Sequence, residues 1–410
     1  MKRYVIVGNG AAAVGCIEGI RSVDKEGAIT VLSKEARRVY ARPLISYYLE
    51  GKTDEARMQY RDADFYAANG CELLLGESAV CIDPTAGTVT TDKGRAIPYD
   101  ALCLATGSSP FVPPFEGLDT VKNKFSFMTL DDALALEKAI TADSRVLIVG
   151  AGLIGLKCAE GIYARVKSIT VCDLADRVLS SILDAKCAAV VQKHLEENGI
   201  RFLLGDSAVR FDGDTALMKN GATVGFDVLV LAVGVRANVA LVKEIGGAVN
   251  RGVIVDARMQ TSVAGIYAAG DCAEGYDASL GAPRVLAIMP NAVIGGHTAG
   301  VNMAGGDAVF DNAIPMNSIG FFGLHIMTAG AYDGEMTEET DAGTLKRFFV
   351  KDGYLKGFIL IGGTERAGIY TSLIREKVPL DSIDFETSKK IASNAVFSAE
   401  TRRKKFGGVV

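Results

Sequence analysis

The chain has no C-x-x-C and no C-x4-C. Its eight cysteines are Cys16, Cys71, Cys81, Cys103, Cys158, Cys172, Cys187 and Cys272, and the nearest two stand ten residues apart. That spacing excludes a zinc knuckle and a sequence-local redox disulfide. Most of these cysteines fall in apolar segments, where a small buried hydrophobe is expected. Histidine is scarce: His194, His297 and His325 show no ligand spacing, so no metal site is expected. No apolar run reaches the ~18 residues of a membrane span. Charge of one sign is also lacking; the formal net of −5 is mild and signals no nucleic acid. Met1-Lys2-Arg3 and the apolar stretch after it look superficially like a signal peptide, but that stretch also reads as a strand and a glycine turn. A cytoplasmic protein with neither membrane nor nucleic acid as partner is expected.

Glycine and apolar residues are abundant instead. The 410 residues include 46 glycines and are 49% hydrophobic and 23% charged, the balance of a globular protein with a large core and two or three domains. The glycines cluster informatively. Gly8-Asn9-Gly10-Ala11-Ala12-Ala13 follows the apolar run Tyr4-Val5-Ile6-Val7, and Gly150-Ala151-Gly152-Leu153-Ile154-Gly155 follows Val146-Leu147-Ile148-Val149. Each reads as strand, glycine turn and helix start, the context a dinucleotide fingerprint requires. The first glycine makes the turn, the second admits a pyrophosphate, and the third position (Gly155, or Ala in the first copy, Ala12-Ala13) lets helix and strand pack. The diphosphate rests on free N–H groups at the helix start. Two such sites in one chain imply electron transfer between two dinucleotides.

The rest of the chain organises around them. Ile29-Thr30-Val31-Leu32 reads as the second strand of the first unit, with Glu35 beyond it as partner for a ribose hydroxyl, although Ser33 holds the strand tip. Ala101-Leu102-Cys103-Leu104 is a further strand running into Ala105-Thr106-Gly107, and Pro110, Pro113 and Pro114 suit a crossing between domains. In the second unit, Asp131-Asp132 opens a helix. Ile169-Thr170-Val171-Cys172 ends at Asp173, about twenty residues past the fingerprint, where a carboxylate reads an adenosine ribose 2′-OH. A 2′-phosphate would meet like charge there, about 4 kcal/mol at ~4 Å and an effective dielectric of ~20, so NADH is expected over NADPH. Phe226 to Val233 is a buried strand stopping at Gly234. Tyr267-Ala268-Ala269-Gly270-Asp271 ends a later strand, and Met289-Pro290-Asn291-Ala292 starts a helix with proline in its first turn. After about residue 312 the pattern becomes antiparallel, with a hairpin at Asp352-Gly353. Arg402-Arg403-Lys404-Lys405 forms a basic tail, either a solvated terminus or a docking patch for an acidic partner.

This order resembles the two-dinucleotide-domain flavoproteins of the pyridine nucleotide–disulfide oxidoreductase superfamily. The carriers are the two fingerprints, Ala105-Thr106-Gly107 and Tyr267-Ala268-Ala269-Gly270-Asp271. Tyr40-Ala41-Arg42-Pro43-Leu44-Ile45-Ser46 and Ala299-Gly300-Val301-Asn302-Met303-Ala304-Gly305 look like the NADH:rubredoxin reductase and nitrite-reductase flavoprotein branch. The resemblance implies an α/β chain with two Rossmann-like domains and a small α+β C-terminal interface domain. FAD would occupy 1–112 with 235–311, NAD(H) the inserted 113–234, and the interface domain 312–410, which often pairs subunits into a homodimer. It also implies site residues. Gly8, Gly10, Ala12, Ala13, Glu35, Arg42, Pro43, Val80, Ala105, Thr106, Gly107, Gly270, Asp271, Asn291 and Ala292 would line the FAD. Gly150, Gly152, Leu153, Ile154, Gly155, Asp173 and Gly234 would hold NAD(H).

The sequence departs from its relatives at three places. No cysteine lies between Cys16 and Cys71, where such proteins carry a redox disulfide or a peroxidatic thiol. Electrons are therefore expected to leave the flavin directly, to a rubredoxin-like carrier or to dioxygen, with no catalytic side chain. Lys157 stands where relatives usually carry Glu near the nicotinamide, unless it is a solvated helix residue. Tyr47 stands where many carry Lys near the flavin. Two further functions remain open: a peroxide-forming NADH oxidase, and a non-catalytic flavin-binding subunit of a larger redox complex.

Overall fold

A computed structural model describes residues 1–341 and 343–406, with backbone only at 401 and 404–406. The chain forms two compact units, one of residues 1–275 and 289–310, the other of 276–288 and 311–410. The segment 276–288, expected from the sequence in the FAD-binding portion, groups with the second unit.

Two five-stranded sheets lie in the first unit, with parallel pairing throughout. One runs Ile266–Ala268, Ala101–Leu104, Arg3–Val7, Ala28–Ser33 and Cys71–Leu75. The other runs Lys124–Phe125, Val228–Leu231, Arg145–Val149, Ser168–Asp173 and Ile200–Leu204. Their central strands are buried almost along their full length, which is why they read as continuous apolar runs. The order is the same in both; the edge strand comes from after the inserted segment in one, and from the start of that segment, ahead of its fingerprint, in the other.

The repetition extends to single bonds. Arg3 and Arg145 each precede their first glycine by five residues. The Arg3 backbone N–H donates to Asp100 Oδ2 at 2.7 Å and its guanidinium forks onto the same carboxylate. Arg145 does the same to Asp227, also at 2.7 Å. Each half carries a three-stranded antiparallel sheet, Ala79–Asp83 with Thr88–Thr91 and Ala96–Pro98, and Ala208–Asp212 with Thr215–Met218 and Thr223–Gly225. Both sheets slip register at the second residue, at Val80 and at Val209. A bulge turns that residue out of the ladder, and both side chains are exposed.

Two helices close the first of these sheets, Ala11–Val23 and Met289–Met303. Glycines at four-residue spacing set their contact. A Cβ on Gly15 or Gly19 would stand 2.2 Å from the Val293 or His297 carbonyl, and one on Gly296 or Gly300 about 2 Å from those of Ala12 or Cys16. Backbone touches backbone there, so both helix starts are locked together. The chain crosses to and from the inserted portion side by side, Ser108–Pro110 pairing with Val235–Ala237.

The second unit is an antiparallel sheet ordered Met316–Phe321, Leu324–Gly330, Tyr354–Ile361, Thr344–Lys351 and Glu335–Asp341. Phe348 and Phe358 pack against Tyr370 of the helix Gly368–Arg375. The Asp352-Gly353 hairpin forms with both residues at positive φ, +54° and +76°, as a tight primed turn requires.

Candidate functional site

The two fingerprints build equivalent cradles. In each, the first glycine is demanded by the fold. Gly8 and Gly150 hold φ of +113° and +119°, and a Cβ would overlap the Ala105 or Ala232 carbonyl at 2.0 or 2.3 Å. Gly155 is demanded likewise, its Cβ falling 2.0 Å from the Gly150 carbonyl, and Ala13 fills the equivalent place fully buried. The middle glycines differ. A Cβ on Gly10 or Gly152 meets no described atom within 4 Å, and their φ of −109° and −83° suits any residue. Protein packing gives no reason for glycine there, whereas close approach by a ligand does. Both residues cap their helices without a side-chain hydrogen bond, the condition in which helix-start N–H groups face an anion. Leu153 and Ile154, half-buried, form the first turn of the second helix.

Three predicted FAD segments converge at the first cradle. A Cβ on Gly270 would lie 3.0 Å from that of Ala12 and 3.6 Å from that of Ala292. Asn291 and Ala292 are buried in the first turn of Met289–Met303, so this helix start points at the same place as the fingerprint helix. Asp271 receives a hydrogen bond from the Ser108 hydroxyl at 3.3 Å. Burial pushes its carboxyl up, and Ser108 and the Arg42 charge oppose that shift. Gly107, at φ +64°, also has no described atom within 4 Å of where a Cβ would stand. Thr106 is tied to Asn238, its hydroxyl donating to the Asn238 carbonyl at 3.0 Å and the Asn238 amide returning a bond to the Thr106 carbonyl at 2.8 Å. Asn238 therefore staples the two crossing segments, a role no motif around it signals in the sequence.

Arg42 and Glu35 meet each other: the Arg42 guanidinium pairs with Glu35 Oε1, and the Tyr40 hydroxyl donates to Oε2 at 2.8 Å. Tyr40 in turn accepts from the Leu130 N–H at 2.9 Å, which fixes the ring. Ser33, at the strand tip, is buried and donates to the Glu35 carbonyl at 2.8 Å. Pro43 is exposed beside Arg42 in the short helix Arg42–Leu44. Val80 lies in the bulge noted above.

On the second cradle, Asp173 reaches back across the turn. Its Oδ2 accepts the Ala151 N–H at 2.7 Å and its Oδ1 the Ala175 N–H at 2.8 Å. Arg177, the nearest cation downstream, is occupied by Asp176 and by the Leu183 carbonyl. Gly234, at φ +121°, has no described neighbour within 4 Å of a Cβ.

Lys157 is not a solvated helix residue. Its side chain is 17% exposed, its ammonium pairs with the buried carboxylate of Glu160, and it lies 4.6 Å from the centroid of the Tyr47 ring. The two unusual residues of this chain therefore meet. Six cysteines are buried; Cys81 is exposed and Cys71 half-buried. Among the described residues no group of His, Cys, Asp and Glu could hold a metal, and no helix is long and apolar enough to cross a membrane.

Residues 2–296 match the pyridine nucleotide-disulphide oxidoreductase family. The chain is 32% identical over 392 residues to the NADH-dependent phenylglyoxylate dehydrogenase subunit epsilon of Aromatoleum evansii, covering 92% of each. It is 32% identical to the nitrite reductase [NAD(P)H] of Bacillus subtilis, over 95% of this chain but 48% of that one, so it spans about half of that relative. Its fold matches the reductase in a covalent putidaredoxin reductase–putidaredoxin complex with a TM-score of 0.87, at 24% identity, over 94% of this chain and 95% of that one.

Proposed function

The chain belongs to the pyridine nucleotide-disulphide oxidoreductase family, and on that premise we propose that it is an FAD-dependent NADH oxidoreductase whose electrons pass to a small one-electron carrier protein of the rubredoxin kind. The observation that carries this reading is the pair of open cradles, at Gly10 and Gly152, in one chain. Bound FAD would supply the redox chemistry, taking electrons in a pair and releasing them singly.

The residues supply binding and alignment. The FAD would lie within 1–112 and 235–311 and NAD(H) within 113–234. Gly8, Gly10, Ala12 and Ala13 hold one diphosphate, and Gly150, Gly152, Leu153, Ile154 and Gly155 the other. Asp271, Thr106 and Gly107 line the flavin side, and the Asn291–Ala292 helix start places positive dipole charge at the flavin edge, worth ~0.3–1 kcal/mol. Glu35 takes the FAD ribose, and Asp173 the NADH ribose. With no cysteine between 16 and 71 to relay electrons, the acceptor approaches the flavin itself.

A relative of matching length is named as a subunit of an NADH-dependent dehydrogenase, which supports a second reading: this chain as the flavin-bearing subunit of a larger redox complex. Stopped-flow reduction by NADH, followed by reoxidation with rubredoxin, ferredoxin or air, tests both. The carrier reading expects reoxidation by a carrier to slow as salt rises while the NADH step barely changes. Fast, salt-independent reoxidation by air alone would make it an oxidase. No turnover with any acceptor, by the isolated chain, would leave the subunit reading. The basic tail is one source of steering. Arg402 and Arg403 lie on the helix Ala399–Phe406, while the Lys404 and Lys405 side chains fall outside the described residues. Deleting 401–410 should flatten the salt slope if it contributes. The second unit would pair subunits, which light scattering of the pure chain checks.

A further inference from the structure

We propose that the Lys157–Glu160 pair tells oxidised from reduced nicotinamide by charge; the proposal rests on the NADH reading above. The helix Leu153–Ile162 begins on the second cradle, and Lys157 lies one turn along it. Its ammonium stands 4.6 Å from the Tyr47 ring, on the helix Ile45–Leu49 that follows Arg42 and Pro43. The same helix meets Ser46 at Gly161, where a Cβ would be 3.1 Å from the Ser46 carbonyl. Arg42, just before that segment, feels the charge of Asp271. Lys157 thus bridges the diphosphate cradle of one dinucleotide and the segment flanking the other. A dinucleotide anchored at Gly152 and turned toward the first cradle passes this seam with its nicotinamide end.

The other charges here are Lys52, 5.7 Å from the same ring, and Glu50, which pairs with Lys52. Glu50 Oε1 is buried without a hydrogen-bond partner. Two lysines and two glutamates cancel formally. Lys52 is exposed, but the Lys157–Glu160 pair is largely buried; burying such a pair seldom stabilises a fold, because desolvation offsets the attraction, so its place at this seam asks for another account. The nicotinamide ring offers one. NADH is neutral at the ring; on giving two electrons and a proton as hydride to the flavin it leaves as NAD+, and the flavin takes its second proton from solvent. The ring therefore gains a positive charge while it lies at the seam. Lys157 disfavours that cation and promotes its departure, and Glu160, 6% exposed behind it, limits the effect.

The test is equilibrium binding to the oxidised holoprotein of three probes. These are NAD+, ADP-ribose (which lacks the ring) and 1,4,5,6-tetrahydro-NADH (whose ring is neutral and gives no hydride). Lys157→Gln removes the cation and keeps the carboxylate, so NAD+ should tighten about tenfold relative to both other probes, the order expected for a unit charge several ångströms away in a partly screened seam. Glu160→Gln should loosen NAD+ relative to them, and the double variant should return the ratio to that of wild type. Lys157→Arg should behave as wild type. A structural role would move all three probes together or both single variants in one direction; either result, or an unchanged NAD+ to ADP-ribose ratio in Lys157→Gln, overturns the proposal. FAD content and melting temperature confirm that each variant is folded. If ADP-ribose fails to bind wild type, the NAD(H) reading itself falls, and this proposal with it.

Discussion

Replacing Gly8 and replacing Gly10 should have opposite consequences, although the two residues are separated by a single position. Gly8 sits at φ +113°, and a Cβ there would lie 2.0 Å from the Ala105 carbonyl oxygen. The backbone conformation alone costs a side-chain-bearing residue about 1–3 kcal/mol. The overlap adds overpacking of another ~1–3 kcal/mol, since a strand carbonyl cannot rotate aside as a side chain does. Gly8→Ala should therefore lose about 2–6 kcal/mol of stability, a large share of the ~5–15 kcal/mol a domain has, and melt about 10 °C lower. Gly10 is extended, with open space where its Cβ would be. Gly10→Val should leave the apoprotein as stable as wild type or slightly more so, because the unfolded chain loses freedom. Its cost should appear only with FAD, as a loss of affinity of a hundredfold or more, about 2.7 kcal/mol.

The assay is thermal and urea unfolding of apoprotein, with FAD titrated back. Wild type should gain stability with FAD by mass action, Gly8→Ala should be weak at every FAD concentration, and Gly10→Val should match apo wild type and gain little. Equal apo destabilisation in both variants would show that packing accounts for both glycines. Full FAD occupancy in Gly10→Val would refute the cradle.

NADH should reduce the flavin much faster than NADPH, and Asp173→Ala should narrow the gap while costing about 1–3 kcal/mol through the lost bonds from the Ala151 and Ala175 N–H groups; equal use of both nucleotides by wild type would end the ribose-reading role. Thiol alkylation of the native protein should reach Cys81 and partly Cys71 and leave NADH-to-dye activity intact, whereas inactivation that NADH worsens would reveal a redox cysteine. Asp100 and Asp227 are held at about 2, below the ordinary carboxylate value, by side-chain and backbone bonds from Arg3 and Arg145. Their contribution is therefore full above about pH 4 and lost as pH falls toward 2. Both side chains are more than a third exposed, so Asp100→Asn with Asp227→Asn should flatten acid unfolding by less than about 1 kcal/mol each, and an unchanged acid limb would show those bonds to be idle.

What the sequence made legible was local. The glycine turns, the Asp352-Gly353 hairpin and the proline-led helix at Met289 each depend on residues within one turn of each other, and short-range conformational rules reach that far. The contacts that finish the site do not. Lys157 and Tyr47 are 110 positions apart in the chain, and although each departs from the family pattern, nothing local to either shows that they meet. Asn238 and Thr106 lie on opposite sides of the insertion. The ion pair of Arg42 with Glu35 is hidden for another reason: both residues read as facing ligand, and nothing in their spacing shows that Tyr40 turns them toward each other. One long-range feature was available. Superposing the fingerprints puts Arg3 on Arg145, and the repeat then asks for an acidic residue ahead of each fourth strand, where Asp100 and Asp227 stand.

That duplication also explains how one architecture can treat two dinucleotides differently. The turn, the arginine–aspartate clamp and the bulge recur in both halves, so none of them can distinguish the ligands. The halves diverge at the tip of the second strand. In the first, Ser33 turns inward to the Glu35 carbonyl and the carboxylate is displaced by two residues, into the grip of Arg42 and Tyr40. In the second, Asp173 stands at the tip itself and spans the fingerprint turn through the Ala151 N–H. On the proposed reading, a ribose approaching the second cradle would meet a fixed negative charge, with Arg177 downstream held by Asp176 and the Leu183 carbonyl. One approaching the first meets a carboxylate already compensated by a guanidinium. On the proposed reading, the first arrangement would tolerate a tightly kept resident, and the second would select among soluble nucleotides by the presence or absence of one phosphate. Exchanging the tips, with Ser33→Asp and Asp173→Ser, should therefore leave FAD retention largely unchanged while relaxing the choice between NADH and NADPH. A loss of FAD with nucleotide choice intact would place discrimination elsewhere in the second half.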